Sequence, residues 1–383
     1  MKIINKYVFL SWFLLSGCSS VVHDARVSPN DAVLAQALSG TPILGRDYQT
    51  RELPDEDLFT LTPEMQRFAD EAVAGKRGQD NKAEALHVGL MGAPESGGRG
   101  ISYSAYSTNT ARDAFYNREA NCLSYTLLYV SMAKYIGLNA HYNEVLLPPT
   151  WDMRGDNTYL FMRHVNAKVV LPKLFRNLVR VADVGSGDDI VVDLELRLFR
   201  ANYKQREISK DQIAAQFYSN RGMELAANGE FSAAFLNLRK ALLLEPKASY
   251  IWSNFGSLYR RQGLLPEAEA IYLRGLNVNP SDYTIMHNLA GLYREMGDDA
   301  KQKEYMSRVR RHRSANPYYQ YKVAQEKLDA KEYGQARLYI EKAIKQEKKE
   351  PRFYRLAIEI YEAMGDQKAA DRARELLDKS YEG

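Results

Sequence analysis

Cys122 is the residue best placed in this sequence to do chemistry. The chain of 383 residues holds two cysteines. The other, Cys18, closes a short apolar N-terminal segment, which leaves Cys122 without a disulfide partner. Cys122 opens a strongly helical stretch from Leu123 to Ile136, and a thiol at a helix N-terminus meets unsatisfied backbone N–H groups that favour a thiolate. His164 and Asp193 lie further along on strand-like segments. An imidazole within reach of a thiol can hold the thiolate as an ion pair and later protonate a leaving amine. A carboxylate behind the imidazole fixes its tautomer. Together Cys122, His164 and Asp193 would attack an amide or ester carbonyl and form a thioester. Resolution by water would give a protease or amidase, and resolution by an amine a cross-linking acyltransferase. The competing reading is a small buried cysteine with an incidental strand histidine.

The elements that must position these residues can be read from periodicity. Helices are predicted from Pro63 to Ala74 and from Asn81 to Met91. Gly97, Gly98 and Gly100 mark a loop, and Ser102 to Tyr106 a short strand. Thr110 caps a helix reaching Asn117, and Gly137 ends the helix that follows Cys122. Strand-like runs cover Ala140 to Leu147, Tyr159 to Leu171 and Asp189 to Leu196. Along the second of these, alternation sets His164 with Asn166 and Lys168, opposite Phe161, Val165 and Val169. His164 is therefore expected to face a cleft. Helices followed by antiparallel strands make an α+β layout.

Asn121 either caps the Cys122 helix or lends a polar group to an oxyanion hole. Trp151, in Pro148-Pro149-Thr150-Trp151-Asp152, either walls a substrate groove or packs on its rim. His87 and His141 read as structural or exposed. No Cys/His cluster has metal-ligand spacing, and no Gly-rich loop joins a strand to a helix, so neither metal nor cofactor is expected.

Three stretches carry a resemblance: Thr110-Ala111-Arg112-Asp113-Ala114-Phe115, Asn121-Cys122-Leu123-Ser124-Tyr125-Thr126, and Ala133-Lys134-Tyr135-Ile136-Gly137-Leu138-Asn139-Ala140. They resemble the core motif of the transglutaminase-like superfamily, which has a papain-like Cys-His-Asp arrangement. His164, in Arg163-His164-Val165-Asn166-Ala167, and Asp193, in Ile190-Val191-Val192-Asp193, match the other two positions. The resemblance spans about 60 to 200. An insertion around Lys173 to Asp188 leaves Asp183 as a rival to Asp193. The resemblance implies a cysteine protease-like or acyl-transferring thiol enzyme, with hydrolysis favoured.

The N-terminus carries two lysines, an apolar run from Tyr7 to Leu15, then Ser16-Gly17-Cys18-Ser19-Ser20. This is the layout of a secretory signal and is too short for a spanning helix. Leu15-Ser16-Gly17-Cys18 resembles the lipobox of bacterial lipoproteins. That implies acylation of Cys18 and a body held at a membrane, with Ser19 implying the outer membrane and a periplasm-facing body. Residues 18 to 58 are expected to tether it. A net charge of +4 is too small to argue for nucleic acid, and 45% apolar with 26% charged residues is ordinary globular composition.

A 34-residue period runs through the second half. Trp252, Phe255, Gly256, Tyr259, Ala268, Tyr272 and Pro280 recur one period earlier as Tyr218, Arg221, Gly222, Leu225, Ala234, Leu238 and Pro246. One period later the slots hold Met286, Leu289, Ala290, Tyr293, Gln302, Met306 and Ser314, and two further units follow. Large residues early in one helix and small ones where helices cross form the tetratricopeptide pattern, with a proline near the end of the second helix. Such a solenoid presents a concave groove for protein or peptide partners. The basic run Ser307 to Arg313 reads as the solvated end of a helix.

The expected organisation is therefore a signal peptide (1–17), a lipidated Cys18 with its tether (18–58), a transglutaminase-like domain (59–203) and about five tetratricopeptide units (210–383). The expected fold is an α+β transglutaminase-like domain followed by an all-α tetratricopeptide-repeat solenoid. The leading functional expectation is a membrane-anchored thiol enzyme. The alternative is a non-catalytic lipoprotein adaptor or assembly factor that uses the repeat groove.

Overall fold

The structure is a computed structural model that describes residues 29–105, 107–146, 150–151, 159–160, 164–171, 189–194 and 203–381. Two short helices open it, α1 (Pro29–Ser39) and α2 (Thr41–Leu44). An α+β unit follows, built from α3 (Pro63–Ala72), α4 (Gln79–Met91), α5 (Ala111–Asn117), α6 (Cys122–Tyr135) and short strands. Local chemistry sets the helix ends. The Thr110 hydroxyl accepts from Asp113 N at 3.1 Å, and Asn121 Oδ1 accepts from Ser124 N at 2.8 Å, so each satisfies an orphan N–H of its helix. Gly137, at φ +80°, takes the left-handed conformation that ends α6. Helix α6 is buried nearly all round, from Leu123 to Ala133, and forms the unit's spine.

Strand β1 (Ser102–Tyr103) pairs in parallel with β2 (Glu119–Ala120), just before Cys122. The main sheet contains β3 (Ala140–Val145), β6 (His164–Val170), β7 (Asp189–Val192) and β8 (Gln205–Ile208). It is antiparallel, in the order β7-β6-β3-β8. A separate pair joins β4 (Thr150–Trp151) to β5 (Tyr159–Leu160). Helix α6 packs on β6 and β3. The predicted boundary at residue 203 cuts off β8, which completes the sheet and leads directly into the repeats. Its charged sequence Gln205-Arg206-Glu207-Ile208 gives no strand period, because only Ile208 is buried.

Ten helices form five antiparallel pairs: α7 (Lys210–Ala227) with α8 (Phe231–Leu244), α9 (Ser249–Arg261) with α10 (Leu265–Val278), and α11 (Tyr283–Met296) with α12 (Asp299–Ser314). The last two pairs are α13 (Pro317–Asp329) with α14 (Tyr333–Gln346), and α15 (Pro351–Ala363) with α16 (Gln367–Tyr381). The second half is thus a tetratricopeptide-like solenoid. The small residues of the period act as expected at the helix crossings. A Cβ at Gly256 would lie 2.5 Å from the Tyr272 ring, and one at Gly222 2.7 Å from Leu238. Successive units are stitched by a recurring bond to the carbonyl six residues earlier: Trp252 Nε1 to Pro246 O, Gln320 Nε2 to Ser314 O and Tyr354 Oη to Lys348 O.

The predicted tether is not free over its described part. Helix α1 lies on α10 and α2 on α8. Tyr259 Oη donates to Ala37 O at 2.5 Å, and the Arg239 guanidinium sits 4.6 Å over the Tyr48 ring. Lys240 pairs with Asp55 at 3.0 Å, and Glu56 N donates to Tyr218 Oη. Residues 29 to 58 therefore form a strap over the second helices of the first two repeats. Leu34, Leu38, Ile43 and Leu44 of the strap pack on the main core beside Ala37.

Candidate functional site

The fold brings Cys122, His164 and Asp193 together. Cys122 is the first residue of α6, half-buried and free of any disulfide. His164 opens β6, and Asp193 directly follows β7, the neighbouring strand. His164 Nε2 bonds Asp193 Oδ2, and the Cys122 side chain also acts on the imidazole. Asn166 Nδ2 donates to the same Asp193 oxygen at 3.1 Å. Asn143 Nδ2 donates to Asn166 Oδ1 at 2.7 Å and to Gln205 Oε1 at 2.9 Å, which carries the polar chain across the sheet to β8.

Burial alone would push the His164 imidazole down. The hydrogen bonds and charges of Asp193 and Cys122 outweigh it and raise its pKa to about 10. His164 exposes 2% of its surface and Asn166 1%, so the expected cleft face is closed. The strand alternates as predicted, but both of its faces are covered: Val165, Ala167 and Val169 on one, the polar chain on the other.

Behind the carboxylate stands a second layer that the sequence reading missed. His87 Nδ1 and Tyr125 Oη are 2.6 Å apart. Burial pushes the Tyr125 phenol well up, with Tyr129 and the Asp193 charge adding to it. Burial pushes His87 down, against Asp193 and Glu84. The one signal available was that Tyr125 lies one helical turn from Cys122 on a helix buried all round.

Asn121 is the cap of α6, and its amide nitrogen donates to Thr108 Oγ1 at 3.0 Å. Both ends of the side chain are therefore engaged in structure, which favours the cap over an oxyanion donor. Trp151 lies on β4, with its side chain outside the described residues. Cys18 and Asp183 also lie outside them. His141 is bonded to Glu207 and Asn139 at the sheet edge. Among the described residues no group of three or more His, Cys, Asp or Glu is placed to hold a metal ion, and no helix is long and apolar enough to cross a membrane.

A second candidate site is the inner side of the array. The first helices α7, α9 and α11 touch in series, as on the inside of a curved solenoid. Asn254 Nδ2 donates to Ser219 Oγ at 2.9 Å, and Asn288 Nδ2 to Ser253 Oγ at 3.1 Å. This repeating ladder uses the amide nitrogens of Asn254 and Asn288, both half-buried. The groove is not open along its whole length. Gln216 Nε2 of α7 donates to the buried carboxylate of Glu144 on β3 at 3.1 Å. At the far end Arg352 Nη2 of α15 donates to Tyr203 Oη at 3.1 Å, and β4 lies against α13.

No family model matches the chain. It is 29% identical over 117 residues to the photosystem I assembly protein Ycf3 of Rippkaea orientalis, a match that takes in 30% of this chain and 64% of that protein. The chain thus spans less than two thirds of that relative. The Ycf3 protein of Synechococcus elongatus is 27% identical over 126 residues, 32% of this chain and 69% of that protein. Among solved structures, PilF of Pseudomonas aeruginosa superposes with a TM-score of 0.25 at 22% identity, covering 44% of this chain and 78% of that one. The tetratricopeptide protein YrrB gives 0.25 at 14% identity, covering 43% and 86%. Scores this low carry no argument.

The expectation of a cysteine protease, amidase or acyltransferase is therefore corrected. The curated relatives are assembly proteins, not thiol enzymes. His164 is buried and held as a cation by Asp193 and Cys122, while Cys122 itself stays half-buried. The likeness to the transglutaminase-like superfamily rests on the sequence motifs, and a fold does not carry its relatives' chemistry with it.

Proposed function

We propose that this protein is a non-catalytic assembly or adaptor protein whose repeat array holds a protein or peptide partner. The observation that carries the reading is the Asn254 and Asn288 ladder on the inner side of five stacked helix pairs. Its regularly spaced side-chain amides suit the backbone of an extended segment. Similarity to proteins named for assembly supports the same reading. In it, the α+β unit is a transglutaminase-like fold kept as a platform, with Cys122 and the buried His164 and Asp193 as a tie between α6, β6 and the end of β7. The helix opened by Cys122 and packed on an antiparallel sheet supports this layout.

The lipobox-like Leu15-Ser16-Gly17-Cys18 supports a lipid anchor at Cys18, on the periplasmic side of an outer membrane. Because α1 begins at Pro29 and is fastened to the array, the span from Cys18 would reach only about 35–40 Å. The array would then work close to the bilayer. The test is isothermal binding of candidate partner segments to the purified chain and to Asn254→Leu/Asn288→Leu. A loss of tenfold or more in affinity in the double variant is expected, and equal affinity would overturn the reading.

A further inference from the structure

The repeats do not share one core. Among the described residues, one core runs from Ala37 of α1 through the α+β unit to Tyr293 of α11. A second, separate core runs from Ala324 of α13 to Ala373 of α16. Helix α12 stands between them with a single buried residue, Val309, which belongs to neither.

The sequence period explains the break. The slot held by Leu242 in the first unit, Leu276 in the second and Ile344 in the fourth packs into the core of its own body. In the third unit that slot is Arg310, which is exposed. Gln302 likewise replaces the alanine found at 234, 268 and 336, and Ser314 replaces the proline found at 246 and 280. Accordingly α12 meets α13 over a smaller patch than α8 meets α9, α10 meets α11 or α14 meets α15. A solenoid's stability is a sum of repeat terms and nearest-neighbour interfaces, so the array opens first at its weakest interface.

We propose that the array hinges at the seam between α12 and α13, with α13–α16 moving as one body that is latched to the α+β unit through Arg352 and Tyr203. The latch adds to two lighter contacts, Gln320 Nε2 on Ser314 O across the seam and β4 against α13. Arg352 is fixed on its own side by the buried Glu350, at 2.8 Å through two nitrogens, with its guanidinium 5.4 Å from the Tyr318 ring. It therefore presents Nη2 to Tyr203 in a set position. Closing the latch narrows the inner side of the array from its far end, and releasing it widens the groove. The hinge stands on packing alone and does not need the proposed partner.

The test is the distance distribution between labels on bioorthogonal residues at Leu243 and Leu376, both exposed and one in each body, in the full chain. Labels at Leu243 and Met296, within the first body, serve as control. Two distances are expected for the first pair and one for the control. Tyr203→Ala should raise the longer-distance population about tenfold, the worth of one charge-assisted hydrogen bond. Arg310→Leu, which restores the aliphatic slot, should collapse the pair to a single distance. One narrow distance unaltered by Tyr203→Ala would overturn the hinge, whether or not Arg310→Leu folds.

Discussion

Replacing Asp193 by Asn separates a structural tie from a catalytic one. In the native protein the His164–Asp193 pair is sealed, at 2% and 0% side-chain exposure. Breaking a buried ion pair by removing one partner costs about 3–5 kcal/mol, because the remaining charge is stranded. Linkage gives the same order. An imidazole raised from 6.5 to about 10 carries on the order of 5 kcal/mol of differential stabilisation at about 1.4 kcal/mol per unit. The folded pKa is raised, so the contribution is fully present below pH 6.5 and is lost as pH rises towards 10. In Asp193→Asn only Cys122 is left to oppose burial at His164, so the fall in stability between pH 6.5 and 10 should shrink. The assay is the urea midpoint of both proteins from pH 5 to pH 10. Parallel pH profiles, or a loss below about 1 kcal/mol at pH 6, would refute the reasoning.

Three further outcomes follow from particular contacts. Gly256→Val drives a Cβ to 2.5 Å from the Tyr272 ring and should cost about 1–3 kcal/mol, read as a lower denaturation midpoint; an unchanged midpoint would contradict the crossing. Tyr259→Phe removes the donor to Ala37 O and should cost about 1 kcal/mol, with faster proteolysis near residue 40. Equal cleavage in both proteins would show that the strap is held elsewhere. Cys18→Ala should move the protein from the membrane pellet to the soluble fraction, and retention in the pellet would argue against the lipid anchor.

Much of the fold could be read from side-chain period. Helix α6 was legible because Asn121 and Gly137 mark its ends, and the repeats because a 34-residue spacing survives even where landmarks change. The meeting of Cys122, His164 and Asp193 was legible through motif order. The burial of His164 and Asp193 was not, since alternation along β6 gives faces but not what covers them. Nor was β8 visible, because an edge strand with one buried residue carries no apolar signal. The strap escaped because its few apolar residues, Leu34, Leu38, Ile43 and Leu44, are spread over two short helices with no long period. Arg310 was legible only as part of the basic run Ser307 to Arg313, and its place in the period gained meaning from the two separate cores.

The proposed partner binding belongs to the inner side of the repeats and does not depend on Cys122. The direct measurement is photo-crosslinking in the native host from bioorthogonal residues at 254 and 288, with and without Cys122→Ser, and from Leu243 on α8 as control. One crosslinked partner is expected from 254 and 288, equal in yield in Cys122→Ser and absent from 243. Loss of that crosslink on Cys122→Ser, or the same product from 243, would contradict it.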